Sequence, residues 1–327
     1  MNRPSKAGKL NSGGFSLNTL TDDEVHEIHL GTLEILKTTG VFVESEEARE
    51  IFSAAGADVN EKTKVVTLPP YLVEDSIRSA PATFHAYGRI PESDVVLEAN
   101  RVTFTNFGEG IMFVDPYTGA YRKTTKADIE IAARLIDYLD NVDTYERCML
   151  SHDKDPRVQA LHNAEASLTN TTKHHWLGPV DRYQCGKILE MCAAIAGGMD
   201  KFRERPFLTF VTCPISPLKL SSHHCDIIIE AAQNGIGLNC IGMAMTGGSS
   251  PIHIAGTLVQ QNSENLASLV LGQLVQKGTP FIYASSTCPL DLRFATATVG
   301  APETAMINAA VARLARYYGL PSFAAGG

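Results

Sequence analysis

Gly237-Leu238-Asn239-Cys240-Ile241-Gly242-Met243-Ala244-Met245, then Thr246-Gly247-Gly248-Ser249-Ser250-Pro251, then an apolar run to Lys277, then Pro280-Phe281-Ile282-Tyr283-Ala284-Ser285: the reading of this stretch decides the fold. A short apolar segment closed by glycines reads as a buried strand. The run over residues 252–277 is too long for a strand and reads as a buried helix. Its richest part, residues 266–275, is too short to span a bilayer and contains Gln273. A second apolar strand follows, so the unit is strand, helix, strand, with the strands parallel.

The same unit recurs on either side. Strands are expected at 142–150, 174–178, 206–213, 237–245, 280–285 and 321–325, roughly 30–45 residues apart, with helices between them. The helices are expected at 156–172, 181–197, 218–234, 252–277 and 302–318. Such a series makes either an open doubly wound sheet or a (β/α)8 barrel. The open sheet usually carries a Gly-rich phosphate loop after its first strand, and residues 142–150 are followed by none. The small and branched residues at 207–211, 238–244 and 281–285 suit a barrel interior. The fold class is therefore α/β, an incomplete (β/α)8 TIM barrel, because a barrel needs eight strands and six are legible.

The front of the chain has another texture. Residues 1–20 are rich in Gly, Ser, Asn and Lys and read as a flexible arm. Thr21-Asp22-Asp23-Glu24 is a capping box opening a helix that Gly40 ends. A second helix spans 45–55, residues 58–67 are extended, and Pro69-Pro70 starts a third helix. From 83 to 121 short alternating runs are split by Gly, Pro and Asn, with Asp115-Pro116-Tyr117-Thr118-Gly119 as a turn. The expected domains are the arm (1–20), an N-terminal α+β cap (21–124) and a partial barrel (125–327) opened by the Thr125-Lys126-Ala127-Asp128 cap.

Composition narrows the function. Of 327 residues, 28 are Lys or Arg and 36 Asp or Glu, for a net charge of −8. With no Lys/Arg run, nucleic acid is not an expected partner. Seven cysteines without a C-x-x-C pair argue against a disulfide framework or zinc site, and the expected compartment is the cytoplasm. The first 14 residues carry Arg3, Lys6 and Lys9 but no apolar stretch follows, so neither a signal peptide nor a membrane partner is expected.

The C-terminal ends of parallel strands are where a barrel keeps its chemistry. The loop Thr246-Gly247-Gly248-Ser249-Ser250, with Met245 before it, offers backbone N–H groups at a helix start, against the plainer reading of a βα turn whose glycines take positive φ. Ser285-Ser286-Thr287 and the lone Trp176 lie at the ends of two further strands of the series. Aromatic faces such as Trp176 can hold a cationic amine, though core packing is the commoner fate of such rings. Glu109, in Asn106-Phe107-Gly108-Glu109-Gly110, is a candidate to cover the barrel mouth. His174-His175 and His223-His224 lack the spacing of a metal site, so no metal is expected. His223, His224 and Cys225 are expected inside a helix, away from the loop end, and Cys213 is the one thiol placed to act as a nucleophile.

At these loops the chain resembles the trimethylamine methyltransferase family. The resemblance rests on Thr212-Cys213-Pro214-Ile215-Ser216-Pro217-Leu218, on residues 243–251 with Ala255-Gly256-Thr257-Leu258-Val259, and on Tyr317-Tyr318-Gly319-Leu320-Pro321-Ser322 with Gly326. The front segments 33–41 and 56–67 are similar too. The resemblance implies a (β/α)8 barrel that moves a methyl group from trimethylamine to the Co(I) corrinoid of a partner protein in methylamine metabolism. It implies no corrinoid bound directly, and a homo-oligomer at full length. In members that act on trimethylamine, pyrrolysine, encoded by an in-frame amber codon, follows almost directly after the Tyr-Gly-Leu-Pro-Ser strand. The catalytic residue is thus expected just beyond Gly327, and the cavity for substrate or corrinoid at Trp176, residues 245–250 and residues 285–287. Two alternatives stand beside it: a glycine betaine enzyme without pyrrolysine, and an inert truncated product that only binds the corrinoid partner.

Overall fold

The structure is a computed structural model that describes residues 9–10, 19–98 and 101–325. Most of the expected arm, and Gly326 and Gly327, lie outside the described residues. Lys9–Leu10, inside that arm, form a short strand antiparallel to Arg101–Val102.

Helices begin where the local sequence supplies a cap. In α1 (Asp22–Thr38), Thr21 Oγ1 accepts from Glu24 N at 3.3 Å, and Thr21 N donates to Glu24 Oε2 at 2.7 Å. Ser45 caps α2 (Glu46–Ala54), and Pro70 opens α3 (Pro70–Ser79). Thr125 and Asp128 repeat the capping box at α4 (Lys126–Tyr138). There follow α5 (Gln159–Leu168), α6 (Arg182–Ala196), a short α7 (Met199–Glu204) that the sequence pattern did not announce, and α8 (Ser222–Asn234). The series closes with α9 (Ile254–Val275) and α10 (Pro302–Tyr317).

The six parallel strands are β1 (Tyr145–Glu146), β2 (His175–Leu177), β3 (Leu208–Thr212), β4 (Gly237–Gly242), β5 (Phe281–Ser285) and β6 (Ser322–Ala324). All six expected strands are present, in an α/β fold with the strands of an incomplete (β/α)8 barrel. The expected nine-residue first strand is only two residues long, because the chain on either side of it takes part in other pairings. Thr105 bridges to Thr144 and Gly110 to Met149, so residues 104–110 run beside β1.

The chain divides into two compact units, one of Met1–Asn11 with Phe84–Val211, the other of Ser12–Thr83 with Thr212–Gly327. The expected boundary at 124/125 falls inside the first. In the first unit β1, β2 and β3 pair in parallel, Tyr145 opposite His175 and His175 opposite Leu208. Hairpins Phe84–Ala86/Val95–Leu97 and Met112–Val114/Tyr121–Lys123 precede them, the second turning on Asp115, whose carboxylate accepts from Tyr117 N and Thr118 N. Lys173, buried, donates to the C-terminal carbonyls Ile136 O and Leu139 O and so closes α4.

In the second unit β4, β5 and β6 pair in parallel, with Leu238 opposite Phe281 and Tyr283 opposite Ser322. Helix α9 packs against α1, α2, α3, α8 and α10 as well as β4 and β5. A helix enclosed on every side buries residues all round rather than along one stripe, and α9 does so with both apolar residues and the polar Gln261, Asn262, Ser263, Glu264 and Asn265. The helices of the expected cap over residues 21–83 thus form a layer over α9. Expected helix boundaries move in two places: the helix foreseen over 156–172 spans Gln159–Leu168, and the one foreseen from 218 starts at Ser222, because Leu218 takes φ +52° and Lys219–Leu220 pair in parallel with Val41–Val43.

Candidate functional site

Strand alternation sorts the residues of the second unit into two faces. Tyr283 Oη donates to Asn262 Oδ1 at 2.8 Å and Ser285 Oγ to Gln261 Oε1 at 3.0 Å, so Tyr283 and Ser285 look at α9. The other face of β4 and β5 carries Asn239, Ile241, Ile282 and Ala284, all buried. Asn239 is fully buried, and among the described residues neither atom of its amide has a hydrogen-bond partner. That is a vacancy for hydrogen bonds on the face away from the helix.

Residues 242–250 and 285–289 form one ledge. Ser286 N donates to Gly242 O at 2.8 Å, and Ala244 N to Thr287 Oγ1 at 3.2 Å. Met245 and Thr246 pair in parallel with Cys288 and Pro289. Within the loop, Gly247 N donates to Ser250 O, Gly248 N and Ser250 N to Met245 O, and Met245 N to Ser249 Oγ. These amides are committed to the loop's own closure and are not held out as an anion cradle. Thr257 Oγ1 lies 3.0 Å from Ser250 Oγ and 3.2 Å from Thr246 Oγ1. Gly247 takes φ +81°, while a Cβ there would meet only Ile252 at 3.8 Å. It is the backbone conformation, not crowding, that asks for glycine. Met245, Thr246, Gly247, Gly248, Ser249 and Ser250 are therefore gathered with Ser285, Ser286 and Thr287.

The loop after β3 is anchored from α9. Glu264, fully buried, accepts from Ser216 Oγ at 2.8 Å and Leu218 N at 2.9 Å, and Gln260 Nε2 donates to it at 3.1 Å. Burial raises its carboxyl above the usual range, with the three donors opposing. His224 lies in the first turn of α8, next to the end of β3, rather than away from the loop end as expected. Its Nδ1 meets Thr212 Oγ1 at 2.9 Å and its Nε2 meets Ser268 Oγ at 2.8 Å. Burial lowers its pKa to about 3, so it is a neutral, fully paired core histidine. Cys213 is exposed, and burial pushes the Cys225 thiol up to about 12. Among the described residues no group of three or more His, Cys, Asp or Glu side chains is arranged to hold a metal ion.

In the first unit the site candidates lie on the face that carries Glu146, Trp176 and Thr209, register neighbours across β1, β2 and β3. His174 joins them: its Nε2 meets Thr209 Oγ1 at 2.8 Å and its ring stands edge-on to Trp176 at 5.2 Å between centroids. Burial lowers the His174 pKa to about 3. Trp176 is 2% exposed. Glu109 is ion-paired to Arg147 at 2.6 Å, and Asn106 clamps β1 by accepting from Glu146 N and donating to Glu146 O. Burial raises the Glu146 pKa to about 7, against the pull of Arg147 and with a smaller push from Glu109. The sequence reading passed over Glu146, Asn239 and Glu264. The signal available for Asn239 was a polar side chain inside an otherwise apolar parallel strand.

The model of the trimethylamine methyltransferase family matches residues 3–327. The chain belongs to the trimethylamine methyltransferase family. It is 49% identical over 322 residues to the trimethylamine methyltransferase of Desulfitobacterium hafniense, covering 98% of this chain and 65% of that protein. It is 40% identical to that of Methanosarcina barkeri, covering 96% and 64%. A glycine betaine methyltransferase of Desulfitobacterium hafniense is 33% identical, covering 95% and 64%. The chain thus spans about two thirds of the length of these family members. Among solved structures, the monomethylamine methyltransferase of Methanosarcina barkeri matches with a TM-score of 0.54 at 14% identity, covering 96% of this chain and 69% of that one, a likeness of fold. Among the described residues no helix is long and apolar enough to cross a membrane.

Proposed function

We propose that this chain is the N-terminal portion of a trimethylamine–corrinoid methyltransferase, which moves a methyl group from trimethylamine to the Co(I) corrinoid of a partner protein. The observation that carries this reading is the family match over residues 3–327 together with relatives named for trimethylamine at 39–49% identity. The glycine betaine relative, at 33%, supports the second reading less strongly. The corrinoid is the partner's and serves as methyl acceptor. The reacting residue, pyrrolysine by this reading, lies beyond Gly327, in the third of the relatives that this chain does not span. The full-length enzyme is a cytoplasmic homo-oligomer in the same reading.

The chemistry asks this part of the protein for a dry pocket with a few placed polar groups. A neutral amine is a very poor leaving group, and water must be kept from the Co(I) nucleophile. In the second unit, the hydroxyls of Thr246, Ser250 and Thr287 and the amide of Asn239 are the groups suited to lining it.

The test is to read the codon after Gly327, extend the chain to the length of its relatives with amber suppression, and mix it with the corrinoid protein reduced to Co(I). Loss of Co(I) absorbance on adding trimethylamine is the expected result. Loss with glycine betaine alone would favour the second reading. Loss with neither substrate, with corrinoid protein still bound, would identify an inert binder.

A further inference from the structure

Among the described residues, the carboxylate of Glu146 differs from that of Glu264 in having no hydrogen-bond donor. It is largely buried on β1, yet no hydrogen bond or ion pair reaches it among the described residues. Glu264 is also buried, and three donors surround it. An uncompensated buried carboxylate is costly, and folds keep one where a ligand completes it.

The surroundings explain why no protein group does so. Arg147, the adjacent cation, turns its Nη2 to Glu109 at 2.6 Å and its Nη1 to Gly178 O at 2.7 Å. Glu109 reaches Arg147 from a backbone at φ +87°, a conformation that a residue with a side chain adopts only under constraint. Gly108 lies against the carboxylate: a Cβ there would stand 2.6 Å from Glu146 Oε1. Trp176 is directly opposite Glu146 in the register of β1 and β2, on the same face. A carboxylate beside an indole, under a backbone with no side chain, is the pair that holds a small soft cation by charge and by ring face together.

We propose that Glu146 and Trp176 form a subsite for a small methylated ammonium ion, with the Asn106–Gly110 segment as its wall. The class of ligand rests on the trimethylamine reading above; the built-in demand for a cation does not. The subsite is a place of recognition: Glu146 balances the charge of the ammonium and Trp176 covers its methyl groups.

The charged groups that act on Glu146 are Arg147, which lowers its pKa, and Glu109, the ion-pair partner of Arg147, which raises it. With the carboxyl titrating at about 7, a cation selects its ionised form and releases a proton on binding.

The experiment is calorimetric titration of the 327-residue chain with tetramethylammonium chloride, whose charge does not vary with pH. The affinity is expected to rise about tenfold from pH 6 to pH 8, following the ionised fraction of a group at about 7. Proton release should appear as a buffer-dependent heat near pH 7. Glu146→Gln should abolish the pH slope and weaken binding about tenfold at pH 8. Thermal melting of the variant establishes that it folds, and the slope in the unaltered chain stands as evidence even where it does not. No binding by the unaltered chain, or an equal affinity and slope in Glu146→Gln, would overturn the subsite. Methyl transfer from trimethylamine separates the two failures: if it proceeds in Glu146→Gln as in the parent enzyme, the subsite alone is wrong, and if no methylated amine is a donor at all, the trimethylamine reading falls as well.

Discussion

Strands β4 and β5 in the second unit are six and five residues long and buried throughout, whereas β1 and β2 in the first are two and three. The second unit wraps α9 from every side, and its buried Asn262, Glu264 and Ser268 are tied to neighbours. The first unit leaves the carboxylate of Glu146 without a partner on its shortest strand. A scaffold is recognised by polar groups that satisfy one another, and a binding region by those left for something else. The second unit is not free of such groups, since the buried amide of Asn239 has no partner among the described residues.

The contrast breaks if the enclosed helix proves replaceable. Leu269→Ala, at a fully buried position of α9, should cost about 3 kcal/mol in urea unfolding. Ile131→Ala, on the exposed side of α4, should stay within about 0.5 kcal/mol. Equal costs would mean that the enclosure of α9 contributes little.

Glu264→Ala should cost about 2 kcal/mol, since Ser216 Oγ and Leu218 N lose their acceptor in a buried setting. A neutral outcome in the same unfolding experiment would show that the loop after β3 holds itself.

Glu146→Gln should do the reverse at high pH. The folded carboxyl titrates at about 7, above an unfolded value near 4.3. The folded protein therefore binds the extra proton between those values, and stability falls as pH rises through that window. The substitution should remove this fall and leave the protein about 1–2 kcal/mol more stable at pH 8 without ligand. A variant that is less stable than its parent at pH 8 would mean that the carboxylate is already compensated.

The smallest effect belongs to the first turn of α4. Asp128 is held at about 2 chiefly by the Arg122 guanidinium, with Thr125 helping, so its contribution is present above about pH 4 and is lost as pH falls towards 2. Asp128→Asn should flatten that acid limb of the stability curve, and an unchanged acid limb would show the pairing to be idle.

Much was legible in the sequence because it was local. Thr21 with Glu24, Ser45, Thr125 with Asp128 and Asp181 each placed a helix start to within a residue, since a cap needs only its own next three residues. Six short apolar runs placed six strands, and the long motif at 243–251 placed the family. Strand length was less legible. The segment 142–150 reads as nine residues of strand, but pairing with 105 and 110 decides where the ladder stops.

The sequence by itself determined the order of elements, the helix ends and the family, because each of these is written in neighbouring residues. The tertiary structure alone decided which face each strand residue takes and what meets it there. Ser285 turns to Gln261 of α9, His224 is shared by Thr212 and Ser268, and Glu146 is left without a partner because Arg147 turns to Glu109 and Gly178. Those outcomes depend on residues tens of positions apart, and no local rule carries the register that brings them together.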